Sequence, residues 1–239
     1  MTLKYKTSFL PYMNSYSYRP PSQFSLFPPV VKNLLILNGL FFFAQITFSG
    51  TYQPYSFLEK YLALWPLDAH LTGNVAFYPW QVVTYAFLHG GFFHLVLNMY
   101  ALWMFGAHIE SEWGPQRFAL YYFVCVIGAA AAQLTVSWYE INVLDLRTIA
   151  PTVGASGGVF GILLAFGMMY PNYEIYFFPF PIPVKAKWFV LIYGVIELVN
   201  GVSGGASNIA HFAHLGGMFM GLILMLVWGY RLPFGKRLV

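Results

Sequence analysis

Charge is what this sequence has least of. Charged residues fill 8% of its 239 positions, against roughly 25% in soluble domains. So few cannot solvate the surface of a soluble globule of this length. An ordinary soluble enzyme, a disordered chain and a coiled coil are excluded. The net charge of +4 is not a nucleic-acid footprint, because the basic residues lie near the ends and in short loops. One cysteine, Cys125, excludes an internal disulfide and any cysteine-based metal cluster. Set in an apolar run, it reads as a small buried hydrophobe. The only aspartates are Asp68 and Asp145, both in stretches that read as loops. An intramembrane aspartyl mechanism, which needs two buried aspartates, is therefore discarded. The first 29 residues hold no apolar run of seven or more. No cleavable signal peptide is expected, and the first span is expected to stay as an anchor.

What is there is apolar and aromatic. Apolar residues make up 59% and aromatics 21%, with a mean hydropathy of +0.61. The composition is that of a polytopic membrane protein. A membrane helix needs about 20 mostly apolar residues. Six stretches fit or nearly fit, near 31–49, 92–109, 117–137, 153–170, 186–203 and 209–229. The expected fold is an all-α six-helix membrane bundle. It would run from 31 to 230, between a tail at 1–30 and a tail at 231–239. The segment 50–91 is too aromatic for a free linker (Trp65, Phe77, Tyr78, Trp80) and reads as a first loop folded back onto the membrane surface. No internal repeat and no separate soluble domain are evident.

Orientation follows from Lys and Arg. With the N-terminus cytoplasmic, Lys4, Lys6, Arg19, Lys32, Arg117, Lys185, Lys187, Arg231, Lys236 and Arg237 lie inside, and only Lys60 and Arg147 outside. Both termini are therefore expected in the cytoplasm. Trp138, Tyr139, Trp188, Trp228 and Tyr230 fall near span ends, as interfacial aromatics do.

Polar side chains inside spans are costly and ask for an explanation. Span 2 carries His94 and Asn98, four apart and so on one face. Span 4 carries Ser156, and span 6 carries His211 and His214. In this topology all three spans enter from the outer side. His94, Asn98, Ser156 and His214 then sit within roughly 10 Å of the outer boundary. They satisfy one another only if they meet. Small residues spaced four apart, Gly154/Gly158, Gly157/Gly161 and Gly217/Gly221, let two helix backbones approach closely. If spans 4 and 6 cross there, Ser156 and His214 come within hydrogen-bond reach. That pairing turns a weak hydroxyl into a nucleophile. His94, Asn98 and the Ser156 backbone N–H are donors of the kind an oxyanion needs. A metal on His211/His214 is not expected, since no carboxylate lies near them in sequence and HExxH is absent. Glu197 and Asn200 of span 5 are less readily explained. The favoured reading is an acid facing the bundle, protonated or bonded to its own helix; the other is part of a gate or water path.

These motifs resemble the rhomboid family of intramembrane serine proteases. The matching elements are Gly154-Ala155-Ser156-Gly157, His94 with Asn98, and His214-Leu215-Gly216-Gly217 followed by Gly221. The run Glu110 to Phe118 is also similar to the family's cytoplasmic turn. The similarity extends from about Trp80 to Gly221. It implies a Ser–His dyad with no third acid and no metal or other cofactor. Ser156 would be the nucleophile and His214 the general base and later acid. His94, Asn98 and the Ser156 amide would hold the oxyanion. His211, Phe160, Gly157 and Gly217 would line the site, with His211 at the entrance. His89 would be structural, bonding the first loop, and Gly221 structural too. The implied partners are transmembrane protein substrates and the lipid bilayer, with no nucleic acid. Span 5 and the loop to span 6 would form the gate. The implied setting is multi-pass, with the inner membrane of a bacterium as default and the site toward its outer side.

Two positions depart from the family pattern. Trp80-Gln81 stands where many members have Trp-Arg, which bears on how the loop is anchored. Phe160 stands where some carry a tyrosine beneath the base histidine; its ring can pack on His214 but has no hydroxyl. The alternative function is a proteolytically inactive relative that binds membrane helices. A small transporter is disfavoured, since no inverted repeat or pair of broken helices is seen. Because a regular helix hides its carbonyls, substrates with Gly, Pro or polar residues near the cut are expected to be preferred.

Overall fold

Among the described residues, six long helices follow the six apolar stretches. The structure is a computed structural model and describes residues 24–49, 55–72, 75–145, 150–176, 182–203 and 208–233. The long helices are α1 (Pro29–Thr47), α4 (Phe92–Trp113), α5 (Pro115–Asn142), α6 (Ser156–Met169), α7 (Ala186–Val202) and α8 (Asn208–Val227). Two short helices, α2 (Phe57–Leu62) and α3 (Gln81–Thr84), lie in the first loop. A hairpin, β1 (Glu174–Tyr176) with β2 (Pro183–Lys185), precedes α7 and pairs Ile175 with Val184. Among the described residues, α1, α4 and α5 are long and apolar enough to cross a membrane, and α6 and His211–Val227 are shorter apolar helices. The bundle is covered in exposed apolar side chains such as Phe43, Phe93, Leu97, Val202 and Val227. Water does not tolerate such a belt; hydrocarbon does. The expected tail at 1–30 falls mostly outside the described residues. So do Lys4, Lys6, Arg19, Arg147, Lys236 and Arg237.

Local chemistry explains where the helices start and stop. Pro29 and Pro115 open α1 and α5, where a missing N–H costs nothing. Gly114, at φ +79°, separates α4 from α5. The carboxylate of Glu110 on α4 accepts from Val30 N at 2.8 Å and Val31 N at 2.7 Å. It thereby caps the start of α1 from another helix. Arg117 lies over Trp228 at 4.1 Å, and Trp113 donates to the Tyr230 hydroxyl at 2.8 Å. These contacts join the ends of α4, α5 and α8.

α8 packs against α5, α6 and α7, while α1 packs on α4. The α6–α8 crossing is closest at Gly157 and Gly217, where a Cβ on Gly217 would collide with the Gly157 carbonyl. Close approach at this pair matches the expectation. Gly158, Gly161 and Gly221 serve α5 instead: Gly158 lies against Tyr122, Gly161 against Cys125, and Gly221 against Tyr121 and Cys125.

The fourth helix begins three residues later than the stretch 153–170 suggested. Thr152 and Leu64 exchange backbone hydrogen bonds of 2.9 and 3.0 Å, which holds the lead-in extended. Gly154 then adopts φ +130°, a conformation that needs glycine. Ser156 is thus the first helical residue. The first loop is built as a packed unit. Trp65 is fully buried. The buried Gln81 side chain accepts from Trp65 N and Tyr78 N at 3.3 and 3.2 Å. It also donates to the carbonyls of Tyr61 and Ala76, both at 3.4 Å. Glutamine therefore anchors this loop through the two ends of one amide.

Candidate active site

Ser156, at the start of α6, and His214, in the second turn of α8, meet directly. His214 Nε2 lies 2.7 Å from Ser156 Oγ. The two helices reach this separation because Gly157 and Gly217 carry no side chains between them. The His214 ring is stacked on Phe160, with centroids 4.2 Å apart and planes within 5°. Phe160, one turn after the serine, thus restrains the ring's plane without a hydrogen bond.

His94 lies on the other side of the serine. Its ring faces Gly154: a Cβ there would come 3.0 Å from His94 Nε2 and 3.6 Å from Ser156 Oγ. Gly90 N donates to His94 Nδ1 at 3.3 Å, so this nitrogen is the acceptor and Nε2 carries the proton in the neutral ring. A donor therefore points toward the serine region. Asn98, buried one turn further in, donates Nδ2 to the His94 carbonyl at 2.9 Å. Ser156 N belongs to the first turn of α6, where helix amides lack intrahelical partners. Ser156 and His214 thus meet, and His94 lies beside the same serine, while the Asn98 amide is bonded to the His94 carbonyl of its own helix.

Other placements differ from expectation. The His89 ring is 2% exposed; among the described residues its nitrogens have no well-aligned hydrogen-bond partner, and its one favourable polar neighbour is the Phe87 backbone of the first loop. What holds this residue is its backbone, clasped by the Gln45 side chain of α1: His89 N donates to Gln45 Oε1 at 2.9 Å, and Gln45 Nε2 donates to the His89 carbonyl at 3.2 Å. Burial, and then the neighbouring His94, push the His89 ring down to about 4. His211, expected at the entrance, is tied into the site. Its Nδ1 lies 2.6 Å from Glu197 Oε2. Asn200 is exposed and takes no part.

Glu197 is the residue whose place sequence reasoning missed. It does face the bundle, as favoured, but it is not bonded to its own helix. Its Oε2 is shared by His211 Nδ1 and by His214 Nδ1, the latter at 2.9 Å. Its signal in the sequence was faint: the one acid in a mostly apolar span. Together Glu197, His211 and His214 offer three ligand atoms within 4.8 Å of one another. The absence of a nearby carboxylate in sequence thus does not hold in space. Both Nδ1 atoms are already satisfied by the carboxylate, and a metal would have to displace those N–H protons.

A membrane-embedded helical bundle with a serine hydroxyl bonded to a histidine has the architecture of a membrane hydrolase. Residues 76–231 match the Rhomboid domain. The chain belongs to the rhomboid family, whose members include intramembrane proteases. It is 31% identical over 217 residues to "Rhomboid protein 1, mitochondrial" of Saccharomyces cerevisiae, covering 89% of this chain and 57% of that protein. It is 30% identical over 230 residues to "Rhomboid protease AarA" of Providencia stuartii, covering 90% and 78%. "Rhomboid protease GluP" of Bacillus subtilis is 32% identical over 169 residues, covering 67% and 28%. The chain thus spans little more than half of the yeast relative's length.

Proposed function

We propose that this chain is an active intramembrane serine endopeptidase that cuts transmembrane segments of other proteins near the outer face. The observation that carries the reading is the 2.7 Å contact between Ser156 Oγ and His214 Nε2. An inactive helix-binding relative has no need of that contact. The proposed domain runs from 31 to 230 as six spans, with both termini cytoplasmic and the site toward the outside. The tails are 1–30 and 231–239.

In this mechanism the Ser156 oxygen attacks the scissile carbonyl, and its proton passes to His214 Nε2. The carbonyl electron pair moves onto oxygen. In this reading His94, Asn98 and the Ser156 N–H donate to that oxyanion. When the C–N bond breaks, Nε2 returns its proton to the leaving amine. Water then attacks the acyl-enzyme, again with His214 as base, and the serine is restored. The substrate must unwind locally to expose its carbonyl, so segments with Gly, Pro or polar residues at the cut are favoured. The membrane is assigned as a bacterial inner membrane. The similarity to the yeast mitochondrial protein favours a mitochondrial membrane as the second reading.

The test compares purified wild type with Ser156→Ala and His214→Ala. It reads labelling by a fluorophosphonate probe and cleavage of a single-span reporter. Cleavage lost in both variants supports the reading. A well-folded wild type that neither labels nor cleaves overturns it in favour of a helix-binding protein.

A further inference from the structure

We infer that Glu197 completes a Ser156–His214–Glu197 triad, in place of the dyad that family resemblance implies. Glu197 is a positioning residue that acts through His214. The inference rests on the proposed protease reading.

The geometry sets the proton positions. An ionised carboxylate only accepts hydrogen bonds. His214 Nδ1, 2.9 Å from Glu197 Oε2, is then the nitrogen that carries the proton. The Nε2 lone pair is left to accept from the Ser156 hydroxyl at 2.7 Å. That is the tautomer a general base requires.

The placement is specific. Of the residues from Val195 to Asn200 on α7, only Glu197 is buried, and its neighbours Ile196 and Leu198 face outward. The helix thus turns its one acid inward, against the base. His211 holds the carboxylate from the other side at 2.6 Å, which keeps Oε2 from rotating away. The benefit is larger here than in water. Taking the serine proton makes an imidazolium among apolar helices, where an unpaired charge is costly. A carboxylate at 2.9 Å offsets that charge as it forms. The groups facing this pair are His211 from α8, Ser156 from α6 and, beyond the serine, His94 from α4.

The experiment measures kcat and KM for reporter cleavage by Glu197→Gln and Glu197→Asp, with the protonation of His214 followed by ¹⁵N NMR on histidine-labelled full-length protein. A glutamine amide can donate to Nδ1, which favours the tautomer with the proton on Nε2. Glu197→Gln should lower kcat on the order of 10²-fold or more with KM little changed. The His214 ¹⁵N signature should move from Nδ1–H toward Nε2–H. Glu197→Asp, which keeps the charge, should recover part of the rate. A folded Glu197→Gln with wild-type kcat and an unchanged signature overturns the triad and leaves the acid a packing group. If Glu197→Gln fails to fold, Glu197→Asp decides, together with the wild-type spectrum: a wild-type His214 that carries its proton on Nε2 overturns the triad. Wild-type rates in Ser156→Ala and His214→Ala would instead sink the protease reading itself, so the two failures are distinguishable.

Discussion

Phe160 and His214 lie face to face, their centroids 4.2 Å apart and their planes within 5° of parallel. The stack sets the plane in which Nε2 meets the serine. A stacked aromatic pair contributes about 0.5–1.5 kcal/mol beyond its burial. Replacing Phe160 with leucine keeps volume but removes the flat face. Reporter cleavage by Phe160→Leu should fall about tenfold in kcat, the upper end of that range. Phe160→Tyr should retain most activity. Equal rates for Leu and Phe would mean that the stack does not orient the base.

The crossing of α6 and α8 makes a sharper prediction. A methyl on Gly217 would strike the Gly157 carbonyl, and backbone cannot step aside as a side chain can. Gly217→Ala should destabilise by about 1–3 kcal/mol and push the base off the serine. A displacement near 1 Å is enough to lower kcat about 10²-fold. Gly194→Ala is the control, since its new methyl would meet only the flexible end of Met218 at 3.4 Å. A melting curve and a reporter assay on both variants test this. A Gly217→Ala protein with wild-type rate and Tm would refute the close-packing account.

Much of the site was legible in the sequence because its chemistry is tied to short spacings. His94 and Asn98 share a helix face by their four-residue separation. Ser156 sits among glycines, and His214 precedes one. What was not legible depends on how separate helices meet. Glu197 reaches His214 only because of the rotation of α7 against α8, which no local pattern encodes. The start of α6 was placed early for a similar reason. The apolar run continues through Val153, but the pairing of Thr152 with the distant Leu64 holds it extended. Nor did spacing reveal that the His89 backbone is held by Gln45 on α1, a contact across 44 positions.

Glu110 should matter for stability and not for chemistry. Its two oxygens cap Val30 and Val31 of α1 at 2.8 and 2.7 Å, and the residue is 2% exposed. Removing the carboxylate leaves two amides unpaired beside an empty site. Glu110→Ala should therefore cost about 2–4 kcal/mol, and Glu110→Gln, which keeps one acceptor, about half of that. The residue lies four turns along α4 from His94, about 24 Å at helical rise. Activity per folded molecule should hold. Denaturation in graded detergent, with kcat measured on the folded fraction, separates the two effects; an unshifted midpoint for Glu110→Ala would count against the cap.

His89 gives the protein an acid-side weakness. Its folded value is lowered to about 4 from 6.5 by burial and by His94. Above pH 6.5 the ring is neutral in both folded and unfolded chains, so it contributes no pH dependence. As pH falls through 6.5 the unfolded chain takes up a proton that the buried ring does not. Stability then drops by about 1.4 kcal/mol per pH unit, reaching about 3 kcal/mol near pH 4, below which the loss stops growing. Because the ring nitrogens have no well-aligned hydrogen-bond partner among the described residues, a phenylalanine in their place costs little beyond the weak contact to the Phe87 backbone. His89→Phe should match wild type in Tm at pH 7.5 and exceed it increasingly between pH 6 and pH 4. Parallel Tm-versus-pH curves for the two proteins would show that the ring titrates normally in the fold, and that its burial carries no protonation penalty.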